Sequence, residues 1–335
     1  MLLVSLFVGA QSPPNVPLIS GGAGMFSSTN EGFTFFQPVA APVLALPLGQ
    51  HVLIEARTDL RGFYQQNNET GPFHGSFTAD LEYLQADFIV NRHITVVAGR
   101  FLTPFGTYNE RLNNLWVRNF QDFPLAFGIG TRTSGSSDGV MVRGNLYSTA
   151  KLHVNNTAFF SAKRTDGQFQ AARAAGDRVD LYLPGKRLEV GASFERFLQS
   201  TSFEKPHRNS GGVHLWWMPW RNPLQLRSEY AHGPHSAGYW AEVTYPLSQF
   251  GGQDSVVGRL EPVFRMQQTF RLSPGPGDGL PSANTKQADF GLDYRFPHEV
   301  RLNTSYSRTF STINGNIWDF SLTYRFLFPV WKGSK

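Results

Sequence analysis

The sequence predicts an all-β protein: a transmembrane, antiparallel, up-and-down β-barrel of about 14 strands, with 16 as the alternative. Three observations predict it. Apolar and polar residues alternate with the period of a strand along nearly the whole chain. The connections between these segments alternate between long and short. The composition is poor in charge (16%) and rich in aromatics (14%), while no run of roughly 18 apolar residues exists to form a membrane helix. Composition alone is equally compatible with a soluble sandwich, which would also alternate; the extent of the alternation and above all the sorting of connection lengths separate the two.

The strands follow in order. His51–Phe63 places Val52, Ile54, Ala56, Thr58 and Leu60 on one face and Glu55, Arg57, Asp59 and Arg61 on the other. Ser76–Val90 carries Asp80 and Glu82 on its polar face, and His93–Thr103 follows. Asp138–Leu146 sets Val140 and Val142 against Met141 and Arg143. Ala150–Ala162 sets Leu152 and Val154 against Lys151 and His153. Arg178–Leu183 sets Val179 and Leu181 against Arg178 and Asp180, and Arg187–Phe197 sets Leu188 and Val190 against Arg187 and Glu189. Gly211–Pro219 carries Val213, Leu215 and Trp217, and Pro223–His232 opposes Leu224 and Leu226 to Arg227 and Glu229. Gly238–Leu247 opposes Tyr239 and Val243 to Glu242, and Val257–Arg271 opposes Phe264 and Met266 to Glu261 and Arg265. Lys286–Phe296 opposes Phe290 and Leu292 to Asp289, Asp293 and Arg295. Glu299–Phe310 opposes Leu302 to Arg301 and Asn303, and Asn316–Phe328 opposes Trp318, Phe320 and Leu322 to Asp319 and Ser321.

Long connections fall near 64–75, 104–137, 163–177, 198–210, 233–237, 272–285 and 311–315, and short ones near 91–92, 147–149, 184–186, 220–222, 248–256 and 297–298. Short periplasmic turns alternating with long external loops mark a bacterial outer-membrane barrel. The phase places both termini on the periplasmic side. The expected division is a truncated signal peptide at 1–10, an N-terminal extension or plug at 11–50, the barrel at 51–328 and a tail at 329–335. Leu2–Val8 supplies the apolar signal core and Val8-Gly-Ala10 a small-residue cleavage site, although a basic leading segment is missing. A plain apolar strand is the other reading of this start.

In such a barrel the apolar face meets lipid and the charged face points inward. Arg57, Arg61, Arg143, Arg227, Arg265, Arg295 and Arg301 are the lining candidates, interleaved with Glu55, Asp59, Glu189, Glu229 and Asp293. So many charges suit a wet lumen better than a dry core. This many strands also leave more interior than their own side chains fill. The connection 104–137 is too long for a passive connector. It either folds inward as a constriction, through Pro104, Phe105, Gly106 and Glu110, or packs outside.

Leu81-Glu-Tyr-Leu-Gln-Ala-Asp-Phe88, Gly99-Arg-Phe-Leu-Thr-Pro-Phe-Gly106 and Asn109-Glu-Arg111 resemble the phosphate-selective porin O/P-type family, with the likeness concentrated over 76–145. Leu224–Tyr230 and Gly238–Tyr245 share it more weakly. The resemblance implies a sixteen-stranded, usually trimeric porin whose pore is lined by arginine and prefers anions. It adds Arg100, Arg111 and Arg118 to the lining. This sequence departs by mixing acids among its arginines, so a mild anion preference is the expectation rather than phosphate selectivity.

The function expected is passive diffusion of small hydrophilic or anionic solutes; the alternative is a transporter of hydrophobic substrates with an N-terminal plug. The partners are outer-membrane lipid and the solute. No enzyme, cofactor or metal is expected. Cys is absent, which excludes thiolate chemistry. The net charge of +5 is dispersed rather than clustered, which disfavours nucleic acid. Gly135-Ser-Ser-Asp-Gly139 matches a hydrolase elbow, but a strand rather than a helix follows it. His232 and His235 lack a nearby carboxylate in sequence.

Overall fold

A sheet with one apolar and one charged face survives in lipid only when no edge is left unpaired. The chain meets this condition by closing on itself. The structure is a computed structural model describing residues 16–30, 33–66, 71–127, 135–163, 173–198, 209–219, 223–252, 254–273, 280–312 and 314–330. Its sixteen strands are β1 (Leu18–Asn30), β2 (Phe33–Leu48), β3 (Val52–Gln66), β4 (Phe73–Asn91), β5 (Ile94–Leu102), β6 (Ser136–Ser148), β7 (His153–Lys163), β8 (Ala174–Leu183), β9 (Leu188–Phe197), β10 (Asn209–Trp217), β11 (Gln225–His232), β12 (Ser236–Thr244), β13 (Leu260–Arg271), β14 (Thr285–Arg295), β15 (Val300–Phe310) and β16 (Gly315–Pro329). Each pairs antiparallel with its sequence neighbours, and β1 closes the ring on β16 from Leu18↔Pro329 to Asn30↔Ile317.

The fourteen strands expected from His51 onward correspond one for one to β3–β16. The main count was nevertheless short by two, because Leu18–Leu48 supplies β1 and β2. These residues form wall, not a plug, so the barrel starts at Leu18 rather than at 51. Both strands carry weak strand signals for physical reasons. On β1 the inner face must be small where Trp116 packs: a Cβ on Gly22 would lie 2.7 Å from the Trp116 ring. On β2 the ladder to β3 skips Gln37–Pro38 and Ala41–Pro42, where proline offers no N–H. The expected signal segment 1–10 and tail residues 331–335 lie outside the described residues, whereas Pro329 ends β16 and Val330 N–H donates to Pro17 O at 2.9 Å. Both described ends therefore meet at the rim that carries the short turns.

The barrel is polar inside and apolar outside. On β14 Asp289 and Asp293 are fully buried (0%), while Phe290 between them is 55% exposed on the other face. Aromatics gather at both rims. Tyr294 and Phe296, with Phe326 and Phe328, pack at the short-turn end; Tyr306 and Trp318 pack at the other. Such girdles suit the interfaces of a membrane.

One strand is cut short. β5 pairs with β4 only from Arg100↔Leu84 to Ile94↔Asn91, so β4 runs on past it. The chain leaves the wall after Leu102 and turns into the barrel. Arg100 and Ser136 close the gap: Arg100 donates to Leu81 O at 3.2 Å, and the Ser136 hydroxyl donates to Glu82 O.

Candidate pore and constriction loop

The long connection is inside the barrel. Its described part, residues 103–127, contains one π-helical turn, Tyr108–Leu112, and a short 3-10 turn at Leu125–Phe127. Contacts to inward-facing residues on three sectors of wall hold it there.

The first sector is β6, β8, β9 and β11. Arg178 donates to Gly106 O (2.8 Å) and to Glu110 (2.6 Å), and Arg143 reaches the other oxygen of Glu110 (2.6 Å). Gly106 N–H donates to Ser193 Oγ (2.9 Å), Tyr108 N–H donates to Glu229 (3.3 Å), and Arg111 pairs with Glu189. Gly106 has φ +62°, and a Cβ there would sit 1.4 Å from Glu229 Oε1, so only glycine fits. The second sector is β1–β3. Leu115 packs with Phe26, Val39 and Ala41, Arg57 donates to Asn114, and Arg118 lies 5.0 Å over the Phe26 ring. The third sector is β12–β15. Asn119 donates to Glu242 (2.8 Å), Arg301 to Arg118 O (3.0 Å), Asn303 to Asn119 O (2.8 Å) and Arg265 to Asp122 O (3.2 Å), while Gln267 accepts from Leu125 N–H (2.7 Å). An external loop could not reach these sectors together.

The inner charges are paired rather than free in water, which corrects the expectation that a wet lumen would spare them partners. Arg227↔Glu242↔Arg265↔Asp289 are successive cross-strand neighbours on four adjacent strands, so charge alternates around the wall at one level. The Arg265–Asp289 pair measures 2.7 Å and Arg227–Glu242 3.5 Å. Arg57 pairs with Glu82, Arg61 with Asp59 (2.8 Å), Arg295 with Glu261 (2.7 Å) and Arg301 with Asp293. Strand alternation shows that these residues face inward. The register that makes them partners is not written in any one strand.

Arg100 is a correction. It shares the face of Ala98 and Val140, opposite the buried inward residues Val97 and Met141, and pairs with Asp138 (2.8 Å) on the outer surface. It does not line the lumen, because β5 ends in the gap that its side chain fills. Asp138 belongs to the Gly135–Gly139 segment, which opens β6 with no helix following. His235 contacts Ser273 Oγ at 2.6 Å. Arg178, Asp180, Ser193 and His214 hold or neighbour the loop, yet their only sequence signal is membership of a polar face.

Glu110 illustrates the balance at the loop. Burial pushes its carboxyl up, but Arg178, then Arg143, outweigh this and hold it below its ordinary value of 4.5. A carboxylate held low contributes stability above its ordinary range and loses it only as pH falls through the lowered value. The anchor is therefore expected to survive acidification to pH 4.5 and to release only below it. Single-channel conductance against pH tests this; a rise already above 4.5 would contradict it. Glu110→Gln should release the loop at neutral pH. Nearby, burial of Arg118 pushes its guanidinium down to about 10, which still leaves it charged at neutral pH.

No family model and no curated protein matches the sequence. Solved structures do match the fold. OmpF of Salmonella typhi, in complex with daunomycin, superposes with a TM-score of 0.65 at 13% identity, covering 93% of this chain and 98% of that one. A low-pH structure of OprB from Pseudomonas putida gives 0.59 at 11% identity, covering 93% of each chain. An anion-selective porin from Comamonas acidovorans gives 0.56 at 10% identity, covering 94% and 100%. The fold is that of outer-membrane porins. A sixteen-stranded barrel with this fold replaces the count of about 14, and the narrower likeness to the phosphate-selective type is not part of what the fold establishes.

Proposed function

We propose that this chain is an outer-membrane porin for passive diffusion of small hydrophilic solutes, with a mild anion preference. The observation that carries the reading is the inward loop, held on three sectors of an otherwise continuous barrel wall. A segment anchored in this way narrows the lumen; Pro104, Phe105 and Gly106 lead into the turn Tyr108–Leu112 that carries Glu110.

The anion preference rests on three ion pairs in which the guanidinium, rather than the acid, reaches solvent. Arg143 is 41% exposed against 12% for Glu110, Arg111 34% against 17% for Glu189, and Arg295 57% against 5% for Glu261. In these three pairs the acid sits deeper in the wall or loop and the guanidinium tip faces the lumen. A passing ion meets the nearer charge first, and screening favours it over the deeper one. The neighbour described as an anion-selective porin is consistent with this.

The test is conductance of the refolded protein in planar bilayers, with reversal potentials in a salt gradient. Discrete channels with modest chloride preference are expected. Absence of channels overturns the porin reading, and cation preference overturns the lining. Replacing Arg111, Arg143 and Arg295 together by glutamine is expected to remove most of the preference while leaving channels intact.

The reading places the chain in a bacterial outer membrane with the short-turn rim, and hence both termini, facing the periplasm. It extends to a homotrimer: the Arg100–Asp138 pair on the outer surface is costly against lipid and would be sheltered by a neighbouring copy. A monomeric mass in detergent would remove that extension. The plugged transporter of hydrophobic substrates is less favoured, since Leu18–Leu48 is built into the wall.

A further inference from the structure

Beside the loop anchor, three strands bring together a set of donors that the channel reading does not use. Asp180 on β8, Gly191 on β9 and His214 on β10 are direct cross-strand neighbours. Glu189 lies two positions away on β9 and, like them, faces inward. Gly191 makes the meeting possible. A Cβ there would lie 2.3 Å from His214 Cε1 and 2.7 Å from Asp180 Oδ1, so its absence lets Asp180 and His214 reach each other across the intervening strand.

The His214 side chain is fully buried (0% exposed), and neither ring nitrogen makes a hydrogen bond. Asp180 Oδ1 has none either. His214 Nε2 nevertheless points between two carboxylate oxygens, 3.3 Å from Asp180 Oδ1 and 3.5 Å from Glu189 Oε1. A buried ring nitrogen facing two anionic oxygens calls for positive charge at that point, carried by a proton on the ring or by a bound cation. A single linear charged hydrogen bond measures about 2.7–2.9 Å, whereas a proton shared between two acceptors gives longer contacts. The two His214–carboxylate spacings are also close to the edge of a tetrahedron around zinc, about 3.4 Å for donors at 2.0–2.1 Å from the metal. All three donor atoms lie within 4.8 Å of one another. Asp180 Oδ2 stays with Arg178 at 3.1 Å, leaving Oδ1 free to ligate.

We propose that Asp180, Glu189 and His214 form an inner-wall site for a divalent transition-metal ion of the zinc class, with water as the fourth ligand. Arg111 shares two of these ligands, pairing with Glu189 and lying 3.6 Å from Asp180. A metal ion bound there supplies the positive charge that Arg111 now supplies. Arg111 is then freed from the wall, which loosens one anchor of the loop and links metal binding to conductance. Binding is independent of the channel reading; only the link to conductance rests on it.

Zinc chloride is titrated calorimetrically into the full-length barrel refolded in detergent, with folding checked by heat-modifiable gel migration. One saturable equivalent is expected. Groups that merely orient metal ligands are worth roughly 10–100-fold in affinity, so His214→Asn should weaken binding by at least that much. Gly191→Ala keeps all three ligands but intrudes between two of them, and should weaken binding as well; it decides the matter if His214→Asn does not fold. No saturable binding, or equal binding in the folded variants, overturns the site. In bilayers, zinc should change the conductance of the unmodified protein and not of either variant. Binding without that change overturns the role of Arg111. A failure of the porin reading would appear separately, as absence of channels in zinc-free protein.

Discussion

Asp289→Ala is expected to destabilise the barrel by about 3–5 kcal/mol, the cost of leaving a buried cation without its partner. Asp289 is fully buried and accepts from Arg265 (2.7 Å), Gln267 (2.8 Å) and Gln287 (2.7 Å). Arg265 would remain between the wall and the loop, 4.4 Å over the Phe120 ring, with its charge uncompensated on that side. The urea midpoint of the folded protein measures the effect, with the denaturant slope checked for constancy. The control is Arg265→Met with Asp289→Leu. Removing both charges leaves no unpaired charge, only the neutral amides of Gln267 and Gln287 without their acceptor, and should recover much of the loss. A single variant as stable as the unmodified protein would mean that Arg265 finds water, and that this part of the lumen is wet after all.

Gly106→Val is expected to enlarge the channel with little effect on the wall. The left-handed backbone at Gly106 costs a branched residue about 1–3 kcal/mol. The new Cβ would overlap Glu229, whose carboxylate receives Tyr108 N–H. The strain falls on the loop rather than on the barrel, because Gly106 belongs to no strand. Higher single-channel conductance with a nearly unchanged unfolding midpoint is the expected pair of results. Conductance unchanged while the variant is folded would show that the other two sectors hold the loop alone.

The strands from β3 onward are legible in the sequence because each carries its own alternation: Asp289, Phe290 and Asp293 declare their faces with no knowledge of their neighbours. β1 and β2 are not legible, because what shapes them lies elsewhere in the chain. Gly22 is small because Trp116 packs against it, and the prolines of β2 sit where the ladder to β3 skips. The loop could be recognised as functional from its length, but its inward course depends on Arg178, Asn303 and Phe26, distant in sequence and brought to it only by closure of the ring. Arg100 differs from these cases. Its outward face follows from the alternation of β5, on which Val97 and Phe101 are the buried inward residues; the resemblance, not the alternation, had put Arg100 in the lining.

The sequence by itself determined that the chain forms an antiparallel barrel with apolar residues outward and charges inward, since period-two patterning and connection length are local properties. The tertiary structure decided the two strands β1 and β2, the inward loop, the pairing of inner charges and the meeting of Asp180, Glu189 and His214. These depend on register between strands, and a shift of one residue would turn every one of those side chains to the other face.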